Sequence, residues 1–139
     1  MNTDTKTGAS LIDKKVDVKV KLSALWTAVM LYMVFIDVLG LYIPGAQEEV
    51  LKTAGATPVT QLMLAAAVML AAPIAMIFFS RVLDRRINRW ANIIVGVMTI
   101  VFVVGGGTAQ PHYLFLGALE TFAMLYIIWL AWTWPKTAS

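Results

Sequence analysis

The sequence predicts an all-α integral membrane protein: a four-transmembrane-helix bundle running up-down-up-down, with both chain ends in the cytoplasm (N-in/C-in). Three observations carry that expectation. Of the 139 residues, 60% are apolar and only 14% charged, whereas a soluble domain is about 25% charged. The apolar residues gather into four stretches close to the length, about 20 residues, that crosses about 30 Å of hydrocarbon. All basic residues but one fall on one side of those stretches.

The first span covers about 22–42 and stops at Pro44-Gly45. The second covers about 60–82, and the third about 87–104, ending at Gly105-Gly106-Gly107. The fourth covers about 111–134, with Pro111 where an opening helix tolerates it and Pro135 closing it. Each must be helical, because an unpaired backbone group in lipid costs several kcal/mol. The segment 1–18 reads as a disordered cytoplasmic lead and 19–139 as the transmembrane domain. Met1–Ser10 is polar and lacks the apolar run and cleavage site of a secretory signal. Val16-Asp17-Val18-Lys19-Val20-Lys21 alternates strictly, which is a strand pattern in a soluble protein. Here it is expected to be an interfacial lead-in to the first helix. Gln47–Leu51 is expected to form a short surface helix over the outer mouth.

Orientation follows from the positive-inside rule. Lys6, Lys14, Lys15, Lys19 and Lys21 precede the first span, Arg81, Arg85, Arg86 and Arg89 lie between the second and third, and Lys136 follows the fourth. The other side holds only Lys52, beside Glu48 and Glu49. Trp26, Trp90, Trp129, Trp132 and Trp134 also fall near the cytoplasmic helix ends, where indole rings anchor at headgroup depth. The expected location is therefore the cytoplasmic (inner) membrane, with the lipid bilayer as the first partner and no nucleic acid.

The second helix carries Ala67, Ala71 and Ala75 at four-residue spacing, a packing seam that allows close helix approach. It suits either a helix of the same chain, a second copy or a partner in a larger membrane complex. Pro73 in the same helix is expected to kink it.

Two acids lie inside the spans, Asp37 in the first and Glu120 in the fourth. Each costs about 2.5–3.5 kcal/mol at a helix centre, so a ligand or proton site is the default reading. At a rise of 1.5 Å per residue, Asp37 falls about 6–7 Å outside the midplane and Glu120 about 4 Å, so the two are able to meet. Glu120 shares its face with Tyr113, Gly117, Ala123, Met124 and Ala131, several of them small; such faces pack against protein. No Lys or Arg sits at the depth of either acid, so they share protons or an outside cation or proton completes the site. The competing reading is structural, a protonated acid bonding a neighbouring helix.

Asn88, Asn92, Gly96 and Thr99 form a polar stripe on the third helix, and His112, Tyr113 and Gln61 suggest an outer-side polar relay. Arg81, Arg85, Arg86 and Arg89 suit contact with anionic lipid headgroups, if they do more than set topology. The glycine triplet lacks the GK[ST] ending of a phosphate loop and is read as a turn. There is no cysteine and a single histidine, His112, which excludes disulfides and thiolate chemistry and leaves no metal set and no catalytic motif. No cofactor is implied.

At Asn88–Ile94 and the closing Ile127-Ile128-Trp129-Leu130-Ala131-Trp132-Thr133-Trp134, the chain resembles uncharacterised bacterial four-helix membrane proteins of a family of unknown function, loosely like the DoxX-type proteins in layout. The resemblance runs from about Lys19 onward and implies four helices in this orientation. A second likeness is to the small multidrug exporters, which depend on a glutamate in their first helix. Here the deep glutamate is in the fourth helix and the first holds an aspartate.

Three classes of function follow. The first binds or transports a small lipophilic or cationic molecule, or protons, in a pocket around Glu120 and Asp37. The second is an accessory subunit of a larger membrane complex. The third is a lipid-modifying enzyme using a carboxylic acid as proton donor or acceptor.

Overall fold

The computed structural model describes residues 16–135; the lead 1–15 and Lys136 lie outside them. Five helices fill the described chain: α1 Val18–Gly40, α2 Ala46–Ala54, α3 Val59–Val82, α4 Arg85–Gly105 and α5 Pro111–Trp132. All but α2 are long and apolar enough to cross a membrane, at 23, 24, 21 and 22 residues.

The start of α1 differs from expectation. The alternating Val18–Lys21 segment is the first turn of the helix itself, because Asp17 caps it, its carboxylate accepting from the Lys19 amide at 2.8 Å. An N-cap of this kind satisfies a helix donor that would otherwise go unpaired. From there Leu22, Trp26, Val29, Met33 and Ile36 recur every three or four residues and are buried, which is one face of a helix. Pro44 follows the end of α1, and Gly45, at φ +81°, turns the chain into α2. That helix is the short segment expected near Gln47–Leu51, and it packs against α3. The helix α3 runs continuously through Pro73, which is fully buried.

Hydrogen bonds between elements fix the arrangement. The Ser23 hydroxyl near the start of α1 donates to the Ile77 carbonyl near the end of α3 at 2.7 Å. Arg85, opening α4, donates to the Trp134 carbonyl just beyond α5 at 2.7 Å. At the other end the Tyr113 hydroxyl of α5 donates to the Val103 carbonyl of α4. Successive long helices therefore run in opposite directions and close a ring in which α1 and α4 each pack between α3 and α5. Helices α4 and α5 approach closely at Gly96, where a Cβ would stand 3.0 Å from Ile128 Cγ1.

One polar cluster binds three helices. The Trp26 indole donates to Asn92 Oδ1 at 2.7 Å, and the Ser80 hydroxyl donates to the same oxygen at 3.2 Å. The Asn92 amide nitrogen donates to the Asn88 Oδ1 and main-chain oxygen, and Asn88 donates to the Ser80 carbonyl at 2.7 Å. All four residues are 0% exposed. Trp26 is thus a core residue and no headgroup anchor, because its indole N–H is spent inside the bundle. Trp90, Trp129 and Trp132 do lie on the surface.

The outside of the ring is apolar all round, with Leu31, Phe35, Val68, Ile94, Phe115 and Phe122 all more than half exposed.

Replacing Asn92 with Ala strips the buried indole and the Ser80 hydroxyl of their acceptor. An unsatisfied buried group costs about 1–3 kcal/mol, so the variant should lose that much stability in denaturant titrations in detergent. A loss near zero would show the network to be incidental.

Candidate functional site

Glu120 stands in the middle of α5 on the face that meets the rest of the bundle. Gly117, Met124, Ile127 and Ala131 share that face and are buried with it. Two cross-links set the register of α4 against α5, Tyr113 to Val103 and Arg85 to the Trp134 carbonyl. Glu120 itself stands about midway along α5.

The side chain of Glu120 is 0% exposed, and neither carboxyl oxygen has a hydrogen-bond partner among the described residues. The neighbouring hydroxyls are committed elsewhere. Thr121 donates to the Gly117 carbonyl at 2.7 Å, Thr99 to the Val95 carbonyl at 2.7 Å and Tyr113 to Val103. The basic residues of α3 and α4 sit at the far end, and among the described residues no salt bridge reaches the acid. Met33, Met76 and Met124 belong to the surrounding apolar core. A carboxyl group in such surroundings is strongly disfavoured as a bare anion. It holds a proton, or it takes a donor from outside the described chain.

Asp37 does not join it in a hydrogen-bonded pair. Ile36 occupies the buried stripe of α1, and the next residue is turned about 100° away, which leaves Asp37 exposed. Glu120 is sealed and Asp37 exposed, so of the two alternatives, a proton shared between the acids or an outside donor, the first has no hydrogen bond to carry it. The outer polar relay is not connected either. Tyr113 is tied to Val103, His112 is half-buried, Gln61 is exposed, and no hydrogen bond links them.

The four arginines separate into two pairs. Arg85 and Arg89 turn inward onto the end of α5, where Arg85 satisfies the Trp134 carbonyl and the Arg89 guanidinium lies 4.9 Å over the Trp132 ring. A cation at a helix C-terminus and over an indole face is favourable on both counts. Arg81 and Arg86 are exposed and alone of the four remain free for headgroups. Of the alanine seam, Ala67 and Ala71 are exposed and Ala75 is half-buried, so the seam packs on no described helix along most of its length. Among the described residues no three His, Asp or Glu side chains group closely enough to hold a metal.

The sequence reading missed the Trp26–Asn92–Ser80 cluster as a unit. The signal was present in the four-residue spacing of Asn88 and Asn92, but which helices supplied their partners depended on the ring order.

Replacing Glu120 with Gln should leave the bundle folded and inserted in membranes. Replacing it with Met, which has similar volume and no polar atoms, should raise stability by about 1–3 kcal/mol. A loss of stability in the Met variant, read by the same denaturant titration, would instead make the acid a structural bond.

No curated protein and no solved structure shows a significant match to this chain. The model of a family of unknown function, DUF6326, matches residues 11–139. With nearly its whole length covered, the chain belongs to the DUF6326 family.

Proposed function

We propose that this is a multi-pass protein of a bacterial cytoplasmic membrane, with both termini cytoplasmic, in which Glu120 forms an intramembrane site for a proton or a small lipophilic or cationic molecule. The single observation that carries the site is the fully buried Glu120 carboxyl without a partner. A buried acid costs stability, and one that bonds to nothing among the described residues supports the reading of a site completed from outside. The membrane setting draws support from the apolar belt around the bundle, since soluble monomers rarely expose a continuous apolar surface of that extent. The orientation rests on Lys19, Lys21, Arg81, Arg85, Arg86 and Arg89, which gather at one end, against Lys52 at the other. The bacterial cytoplasmic membrane rests on the resemblance of the sequence to bacterial four-helix proteins.

A second reading, an accessory subunit or homo-oligomer, is favoured by the exposed Ala67 and Ala71. Small-residue faces of this kind associate helices in lipid.

Infrared difference spectroscopy on the full chain in bilayers tests the site. The wild type should show a carboxylic C=O band that responds to pH or to added cation and that disappears in Glu120→Gln. A spectrum with no Glu120-dependent response to either would reduce the acid to a passive core group.

Orientation is tested on the naturally cysteine-free chain. A membrane-impermeant thiol reagent outside intact cells should label Lys52→Cys and spare Arg86→Cys. The reverse pattern would invert the proposed topology.

A further inference from the structure

A groove of about 580 Å³ opens on the outside of the bundle between α4 and α5, towards the end opposite the arginines. That volume falls within the range of small-ligand pockets, about 300–1,000 Å³. Val103 and Val104 of α4 and Leu114, Ala118, Phe122 and Leu125 of α5 line it. Of these, Val104, Leu114, Ala118, Phe122 and Leu125 are exposed, so in the proposed setting the groove faces hydrocarbon.

Its inner part consists of Tyr113, Gly117 and Thr121, which are half-buried or buried. Gly117 and Tyr113 lie one and two turns before Glu120 on the same helix face, and Thr121 is its neighbour in the chain. Gly117 has no side chain, and only the Tyr113 ring stands near the place a Cβ would take, at 3.6 Å. That ring also packs near Gly107, and its hydroxyl is tied to the Val103 carbonyl. On the helix face of the unpartnered carboxyl the groove is thus lined by one glycine, one turn before it, and one tyrosine held by a single hydrogen bond.

We propose that the groove is the binding site for a lipophilic primary amine, whose apolar stem lies against Leu114, Ala118 and Phe122 and whose ammonium reaches Glu120 across Gly117 as Tyr113 turns aside. This rests on the reading of Glu120 as a ligand site and names its ligand class. Chemistry selects the amine. The groove supplies apolar contact and no cation, while the acid lacks donors, and an ammonium brings three N–H groups on a compact head. A lipid acyl chain would fill the groove and leave the acid unsatisfied.

Native mass spectrometry of the full chain in gentle detergent, with dodecylamine as probe and dodecanol as neutral control, tests this. Wild type should take up one dodecylamine saturably and bind dodecanol far more weakly. Ala118→Trp fills the groove at an exposed position that leaves the core packing alone, and Gly117→Leu blocks the passage. Each should weaken amine binding about tenfold or more, as should Glu120→Gln. Tyr113→Phe, which frees the ring from Val103, should speed amine uptake. If Ala118→Trp and Gly117→Leu bind like wild type while Glu120→Gln does not, the groove is refuted and the Glu120 site stands. If Glu120→Gln binds the amine normally, the Glu120 reading falls and this inference with it. Equal uptake of dodecanol and dodecylamine by wild type would make the groove a resting place for acyl chains and overturn the amine assignment.

Discussion

The carboxamide of Asn92 accepts from the Trp26 indole on α1 and the Ser80 hydroxyl on α3 while donating back along α4 to Asn88. Three of the four long helices thus share one satisfied polar knot, sealed from solvent. Its effect is to set register. A helix surface of Leu, Val and Ile slides against another with little change in energy, whereas a buried carboxamide accepts few positions without leaving a group unpaired. With α1, α3 and α4 pinned there, Arg85 and Arg89 fasten the end of α5 to the start of α4 through the Trp134 carbonyl and the Trp132 ring. The fourth helix is then held at the same end as the other three.

That rigid end contrasts with the middle of the bundle. The polar side chains of the knot find partners, while Glu120, midway along α5, finds none among the described residues. Both groups are equally buried, and completeness of hydrogen bonding is what separates the knot from Glu120. The satisfied polar network lies at one end of the molecule, and the unpartnered carboxyl lies further along, on the face of α5 that carries Gly117, where the Tyr113 ring stands near both Gly117 and Gly107 of the α4–α5 connection. Asp37 differs from Glu120 in exposure: it lies one residue past the buried stripe of α1, on the exposed side.

Much of this was legible in the chain. Four apolar stretches bounded by Pro44-Gly45, the arginine cluster and the glycine triplet define four long helices, because length, hydropathy and helix breakers are local properties. Glu120 was legible as a buried acid because Gly117, Met124 and Ala131 mark its face at helical spacing. Asp37 was harder to place. Its face carries Met33, which is buried, yet one residue's rotation separates it from the stripe through Ile36, and only packing decides on which side of that edge it falls. Trp26 misled for a related reason. A tryptophan near a helix end has the same local signature whether it points to headgroups or inward, and the acceptor that drew it inward is 66 residues away.

The sequence by itself determined the helices, their approximate ends, the one-sided placement of the arginines and lysines, and the presence of an acid without a cation at its depth. Each follows from composition or from the 3.6-residue period, which neighbours in the chain express without reference to anything distant. Only the tertiary structure decided which acid is sealed, which arginines are engaged, that Ala67 and Ala71 face outward, and that a groove runs beside Gly117. Those depend on the ring order of the helices and on their register, and both are set by contacts such as Trp26 to Asn92 and Arg85 to Trp134, between residues whose separation in the chain leaves no local trace.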